Sequence, residues 1–574
     1  MVQHEIECMG LLGRSLIISA ILMYDCRILQ TTSLTFARMV AFLEVIGTIS
    51  LALLLWNMLV EFQNGGTRAV VSQLLHKFVS LPGVNTLVSA YIKDEVVGFV
   101  NKMFTDDAVK RSVTVSIPEK GLPYEQVMQE LKELKEGEAD IGNKVFAYKY
   151  MLDPDGKMQK LQEEAIMMFS EQHDVSANHQ QLVEISQAMF MNENALNPVA
   201  FPSLRKFELE CISMTASMLN ADSRACGSLT SGGTESVLMA VKAYRDMARK
   251  YKPHIKNPEI LAPISIHPAF EKAAMYFGLN VVHTELTAKY AADVDKLEQG
   301  ITSNTIMLAA SAPSYPHGII DPIEAIGKLA LKHNLPFHVD ACYGGFMLPW
   351  LDKLGMDIPR FDFRCDGVTS MSADLHKFGY TPKGASIVVY KTEEIRKHQL
   401  FTYNAWPGGL FGSTTMAGTR SGAAMAAAWV TLKHLGQDGY MKIAQKLQDT
   451  VKILIDGANS IKGIEVIGRP VMNCFAIRST TEQLHILVVA DEMEKKGWRM
   501  ERQQLPDSIH FSILPQHIGQ EKTLLESLSA ACQASWDVKP KAGQAAAMYG
   551  MIAKIPDQTI VDDFVKEYFS KVYM

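Results

Sequence analysis

From about residue 225 to 390 the chain alternates short apolar runs with stretches whose apolar residues recur at helical spacing. ILAPISI (260–266), VVHTEL (281–286), NTIMLAA (304–310) and PFHVDA (336–341) are short and β-branched, and read as strands. Residues 235–251, 267–279 and 321–334 read as the helices between them. Strands of this kind separated by amphipathic helices specify a mainly parallel sheet covered on both faces. Its ligand site should lie at the carboxyl ends of the strands. Upstream, Leu204, Phe207, Cys211 and Met214 fall on one stripe of a helix that begins after Pro202. The charged run at 124–140 reads as a helix with a solvated face. Downstream, GIEVIG (463–468), NCFAIRS (473–479) and SIHFSILP (508–515) are strands among helices, the pattern of a smaller α+β unit.

The N-terminal pattern differs. Residues 39–60 are apolar apart from Glu44 near one end, and as a helix their length reaches about 33 Å, enough to cross a bilayer's hydrocarbon layer. The expectation is one membrane-spanning helix there, without a cleavable leader. The basic residues flanking it do not choose an orientation. Residues 62–120 read as amphipathic helices linking it to the body. The resulting division is an anchor segment (1–61), linker helices (62–200), a large domain (201–435) and a small C-terminal domain (436–574).

Composition narrows the function. Charged residues are 21% of 574, the net charge is −6, and no basic block interleaved with aromatics appears, so a nucleic-acid binder is excluded. Eight scattered cysteines form no CxxC pair or zinc spacing, and no metal site is expected.

Three stretches carry chemistry. LTSGGTES (229–236) sets small and hydroxyl residues before a helix, where backbone amides can cup a phosphate. Asp340 ends the PFHVDA strand. Lys377 sits between His376 and Phe378 in SADLHKFGYTPKG (372–384). A carboxylate, an amine and a phosphate cup are what pyridoxal phosphate requires. Cys342, two residues past Asp340, reads as a small soft residue against cofactor or core rather than as a nucleophile. His267, at a strand end, is either structural or stacked on a planar ring, and His338 shares the strand face of Asp340. The glycine-rich run 404–422 is expected to be mobile or closely approached by a ligand or another chain.

DACYGG, SGGTES, SADLHKFGYTPKG, YPHG (315–318) and the glycine-rich run together resemble the sphingosine-1-phosphate lyase family, strongly over 190–574. The resemblance implies an aspartate-aminotransferase-like pyridoxal-phosphate enzyme of fold type I, near the group II decarboxylases. It implies cleavage of a phosphorylated long-chain base to a fatty aldehyde and phosphoethanolamine. It further implies a homodimer sharing its active sites, anchored by a single span in the endoplasmic reticulum membrane, with the bilayer as a partner and the catalytic domain in the cytosol. Carried over by residue, Lys377 binds the cofactor covalently with His376 beside it, and Asp340 pairs with the ring nitrogen. His267 stacks on the ring, Gly233 and Thr234 cradle the phosphate, and Lys383 approaches the reacting end. Gly412 and Ser413 reach a neighbouring cofactor, and Tyr148, Asn194 and Asn197 face the substrate. Asn197 stands where the family has a histidine. The alternatives are an amino-acid decarboxylase and a weakly active relative with a scaffold role.

Overall fold

The computed structural model describes residues 81, 84–103, 115–136, 175–197, 199–540 and 558–574. The chain divides into two compact units, residues 1–109 and 110–574. Of the first, the structure describes chiefly the helix Val84–Met103, which exposes Leu87, Tyr91, Ile92, Val96 and Val97. Among the described residues no helix is long and apolar enough to cross a membrane. That finding overturns the expected single-pass anchor. The bilayer as partner and the endoplasmic reticulum membrane location with a cytosolic catalytic domain go with it. The stretch 39–60 itself lies outside the described residues.

The second unit is built on a seven-stranded sheet. Its strands are β1 (Cys226–Thr230), β2 (Glu259–Pro263), β3 (Asn280–Thr284), β4 (Thr305–Ser311), β5 (Phe337–Asp340), β6 (Ser370–Ala373) and β7 (Ser386–Tyr390). They lie in the order β1-β7-β6-β5-β4-β2-β3. Pairing is parallel from β3 through β6, and β7 runs antiparallel to both β6 and β1. β4, β5, β6 and β7 are buried along their whole length, which is why their sequences are near-continuous apolar or small-residue runs. The parallel register sets Ser311, Asp340 and Ser372 side by side at the strand ends.

Helices cover this sheet and bury the stripes the sequence set out. In Pro202–Met218, Leu204, Phe207, Cys211 and Met214 are all buried. The helix Tyr124–Glu136 has the solvated face expected of it, with Glu125, Gln129 and Glu133 exposed, and on its other side Val127, Met128 and Leu131 sit in the core. Helix Gly422–Asn459 breaks direction at Gly436, whose φ of 60° belongs to the left-handed region. A Cβ there would lie 2.3 Å from the Gly121 backbone N, so the break is also the docking point of the 118–122 loop.

A two-stranded hairpin, β8 (Phe401–Tyr403) and β9 (Phe411–Ser413), precedes that helix. After it, β10 (Ile464–Val466), β11 (Cys474–Ser479), β12 (Glu501–Gln503) and β13 (Ser508–Ser512) form an antiparallel sheet in the order β10-β11-β13-β12.

Candidate active site

At the carboxyl ends of β1, β5 and β6 a cavity of about 360 Å³ opens. It is lined by Ser231, Gly232, Gly233, Thr234, Glu235, Val237, His267, Asp340, Cys342, Asp374, His376 and Lys377. The three stretches picked out in the sequence therefore meet in one place.

The loop after β1 turns directly into helix Gly233–Tyr251, so the free amides of its first turn and the positive end of its dipole face the cavity. Glu235 fixes the turn. Its Oε2 accepts from both the backbone N–H and the hydroxyl of Ser231, each at 2.7 Å, and its Oε1 accepts from the Met416 N–H at 2.9 Å. Gly233 has no room for a side chain. A Cβ would meet both Asp374 carboxylate oxygens at 2.7 Å and the Cys342 sulfur at 2.8 Å.

Asp340 accepts from the Cys342 N–H at 3.0 Å and from the Ser372 hydroxyl at 3.2 Å. Both bonds land on Oδ1, leaving Oδ2 for a donor in the cavity that Asp340 lines. Lys377 is one-third exposed into the same space, with Nζ 2.9 Å from Asp374 Oδ2 and 5.5 Å from the centre of the Tyr343 ring. Burial alone would lower the Lys377 pKa, but the charge and hydrogen bond of Asp374, with the charge of Asp340, outweigh it and raise it. Asp374 shows the opposite balance. Its burial favours the neutral acid, yet hydrogen bonding from His376 and the charge of Lys377 hold it at about 2. The amine therefore rests in the protonated, paired form.

His267 lines the cavity with its Nδ1 accepting from the Ala269 N–H at 3.0 Å. His376 Nδ1 faces the backbone N–H groups of Gly384 and Ala385, at 3.3 and 3.2 Å. Burial, with the charges of Asp340 and Asp374 beside it, pushes the Cys342 thiol well above the ordinary range. It is kept as a thiol and is no nucleophile.

Other sequence candidates fall outside the cavity. Lys383 is exposed and donates to the His376 carbonyl at 3.3 Å. Asn194 Oδ1 accepts from the Leu196 N–H and Asn197 Oδ1 from the Val199 N–H, each shaping its own loop. Tyr148 lies outside the described residues. Gly412 and Ser413 belong to the β8–β9 hairpin, and the Ser413 hydroxyl donates to the Thr415 carbonyl at 2.8 Å. The Ser413 hydroxyl is satisfied within its own loop, and nothing here supports the expected homodimer with shared sites.

The sequence reading missed Asp374 and the group behind Lys377. There the Tyr343 hydroxyl pairs with Ser512, which also bonds His510 Nε2 at 2.8 Å, and Tyr315 stacks on His510 at 4.3 Å. Asp374 carried a signal, since it lies one helical turn before Lys377 in DLHK. The Tyr343 group carried none, because β13 reaches it from 169 residues away.

The residues fit pyridoxal phosphate. Ser231 to Thr234 line the cavity at a helix N-terminus, Lys377 supplies an amine, and Asp340 offers a carboxylate oxygen across the same cavity. The family model described as "Pyridoxal-dependent decarboxylase conserved domain" matches residues 168–478. The chain is 38% identical over 514 residues to sphingosine-1-phosphate lyase of Dictyostelium discoideum, covering 87% of this chain and 90% of that one. It is 41% identical over 404 residues to the lyase of Arabidopsis thaliana, covering 69% and 74%. Among solved structures, Burkholderia pseudomallei sphingosine-1-phosphate lyase superposes with a TM-score of 0.61 at 33% identity, over 78% of this chain and 98% of that one. Lactobacillus brevis glutamate decarboxylase, at 18% identity and a TM-score of 0.56, shares the fold.

Proposed function

The chain belongs to the sphingosine-1-phosphate lyase family of fold type I, and from that membership we propose how its residues carry out the reaction. It is a pyridoxal-phosphate-dependent carbon–carbon lyase that splits a phosphorylated long-chain base into a fatty aldehyde and phosphoethanolamine. Bound pyridoxal phosphate supplies the electron sink for the pair released at the substrate's Cα.

The chain's residues do the rest. Gly233 and Thr234 hold the phosphate on the amides of the helix N-terminus. Asp340, whose Oδ2 is left for a donor in the cavity, would accept from the ring nitrogen and hold it protonated. His267 packs on the ring, and His376 frames the cavity wall beside Lys377. Lys377 Nζ would hold the cofactor at its aldehyde carbon, and the same amine is placed to move a proton at the reacting carbons. Asp374 governs when it can do so, because the 2.9 Å pair stabilises the charged amine. Lys383, one loop away on the His376 carbonyl, is a second proton carrier. Asn194 and Asn197 contribute neutral hydrogen bonds to the substrate headgroup. Tyr148, Gly412 and Ser413 complete the proposed set. The cofactor domain is taken as 201–435 and the small domain as 436–574, after segments 1–61 and 62–200.

The meeting of Lys377, Asp340 and the 231–234 loop in one cavity carries this reading. Incubation of the loaded protein with sphingosine 1-phosphate, beside Lys377→Ala, tests it. Aldehyde forms with the parent and not with the variant. A cofactor-loaded parent that releases none contradicts the reading.

A further inference from the structure

Behind Asp340 runs a line of polar groups that no step above uses. Tyr244, on the helix whose first turn forms the cup, lies 2.6 Å from the Ser370 hydroxyl. Ser370 lies 2.7 Å from His338 Nδ1, and His338 Nε2 lies 3.2 Å from the Ser372 hydroxyl. Ser372 in turn lies 3.2 Å from Asp340 Oδ1. Tyr244, Ser370, His338 and Ser372 are all fully buried.

The chemistry of the groups sets the direction of each bond. An ionised carboxylate only accepts, so Ser372 gives its one proton to Asp340. Toward His338 it can then only accept, which places the ring proton on Nε2. Burial pushes His338 down to about 4, so the ring is neutral and Nδ1 is an acceptor. Ser370 therefore donates to Nδ1 and accepts from the Tyr244 hydroxyl. Every donor points the same way, and bonds aligned in this manner polarise one another.

We propose that Tyr244, Ser370, His338 and Ser372 form a one-way donor relay that positions Asp340 and holds it as a charged acceptor for the cofactor's ring nitrogen. These are positioning residues and touch neither cofactor nor substrate. The relay also ties Asp340 to the helix that carries the phosphate cup, so the two ends of the cofactor site are set by one element. This inference rests on the cofactor site described above.

The test compares the affinity of cofactor-free protein for pyridoxal phosphate with that for an analogue bearing C–H in place of the ring nitrogen. The parent prefers the natural cofactor. Ser372→Ala lowers that preference about tenfold, as expected for one lost hydrogen bond to a charged group. Ser372→Thr, which keeps the hydroxyl, restores it. Tyr244→Phe, remote from the cavity, lowers it about threefold through the loss of polarisation alone. Equal losses for both ligands would mean a merely structural role, and an unchanged preference in Ser372→Ala would mean that no relay operates. Either result overturns the proposal while leaving the cofactor site standing. A parent that binds neither ligand overturns the site and the relay together.

Discussion

Asp374 decides the state of Lys377. The amine lies where burial should discharge it, yet the 2.9 Å contact with Asp374 keeps it charged. A charged amine does not attack an aldehyde, so cofactor loading requires a proton to leave first. Loading of the cofactor-free parent should therefore quicken as pH rises above neutrality. Asp374→Asn removes the main charge that raises the Lys377 pKa, so the midpoint of the rate–pH curve should move to lower pH. Stopped-flow absorbance measures it, and a midpoint that stays in place would show that the pair does not control the amine. Lys377 and Asp340 were legible in the sequence because each sits in a short motif at a strand or loop end. Lys383 was legible as a residue, and its loop sets its amine on the His376 carbonyl. Asp374 was hidden by its own surroundings, since one acid in a polar loop has many uses. Only the approach of Gly233 shows which use applies.

At the scale of elements, the phosphate cup is a strand, a two-residue turn and a helix N-terminus, and its most constrained point is Gly233. A methyl group there would press on the Asp374 carboxylate and the Cys342 sulfur, both of them buried and fixed. Gly233→Ala should weaken cofactor binding by about tenfold or more, with the helix itself unharmed because alanine favours it. Circular dichroism with a cofactor titration checks both halves, and undiminished affinity would contradict the cup. The alternation of strands and helices was legible because burial on both faces leaves so few polar residues in β4 to β7. The reversal of β7 was not. SIVVY reads the same in either direction, and its pairing with both β1 and β6 is fixed by tertiary packing. The apolar run at 39–60, which has the length of a span, lies outside the described residues, among which no helix qualifies as one.

The whole molecule carries a consequence for stability. Burial holds His317, His338 and His510 neutral, each at about 4. In the unfolded chain a histidine takes up a proton near 6.5. Between about 6.5 and 4 the unfolded state therefore binds more protons, and stability falls as pH falls. Asp321 opposes this, since burial raises it to about 6 and the folded state gains a proton there on acidification. His179, which burial also lowers to about 4, makes four groups against one, a net loss on the order of 4 kcal/mol per pH unit at the steepest point. Asp374 adds its own loss only lower, as pH falls from about 4 toward 2. Urea unfolding at pH 7, 6 and 5 should show midpoints that decrease in that order. A flat or rising series would mean that these histidines are not buried neutral.

The most direct measurement is a product balance. Purified protein loaded with pyridoxal phosphate is given sphingosine 1-phosphate, and mass spectrometry follows substrate, fatty aldehyde and phosphoethanolamine together. The account predicts that one aldehyde and one phosphoethanolamine appear for each substrate consumed, and that Lys377→Ala forms neither. Substrate that persists unchanged beside a loaded parent, or products that form equally with the variant, would contradict it.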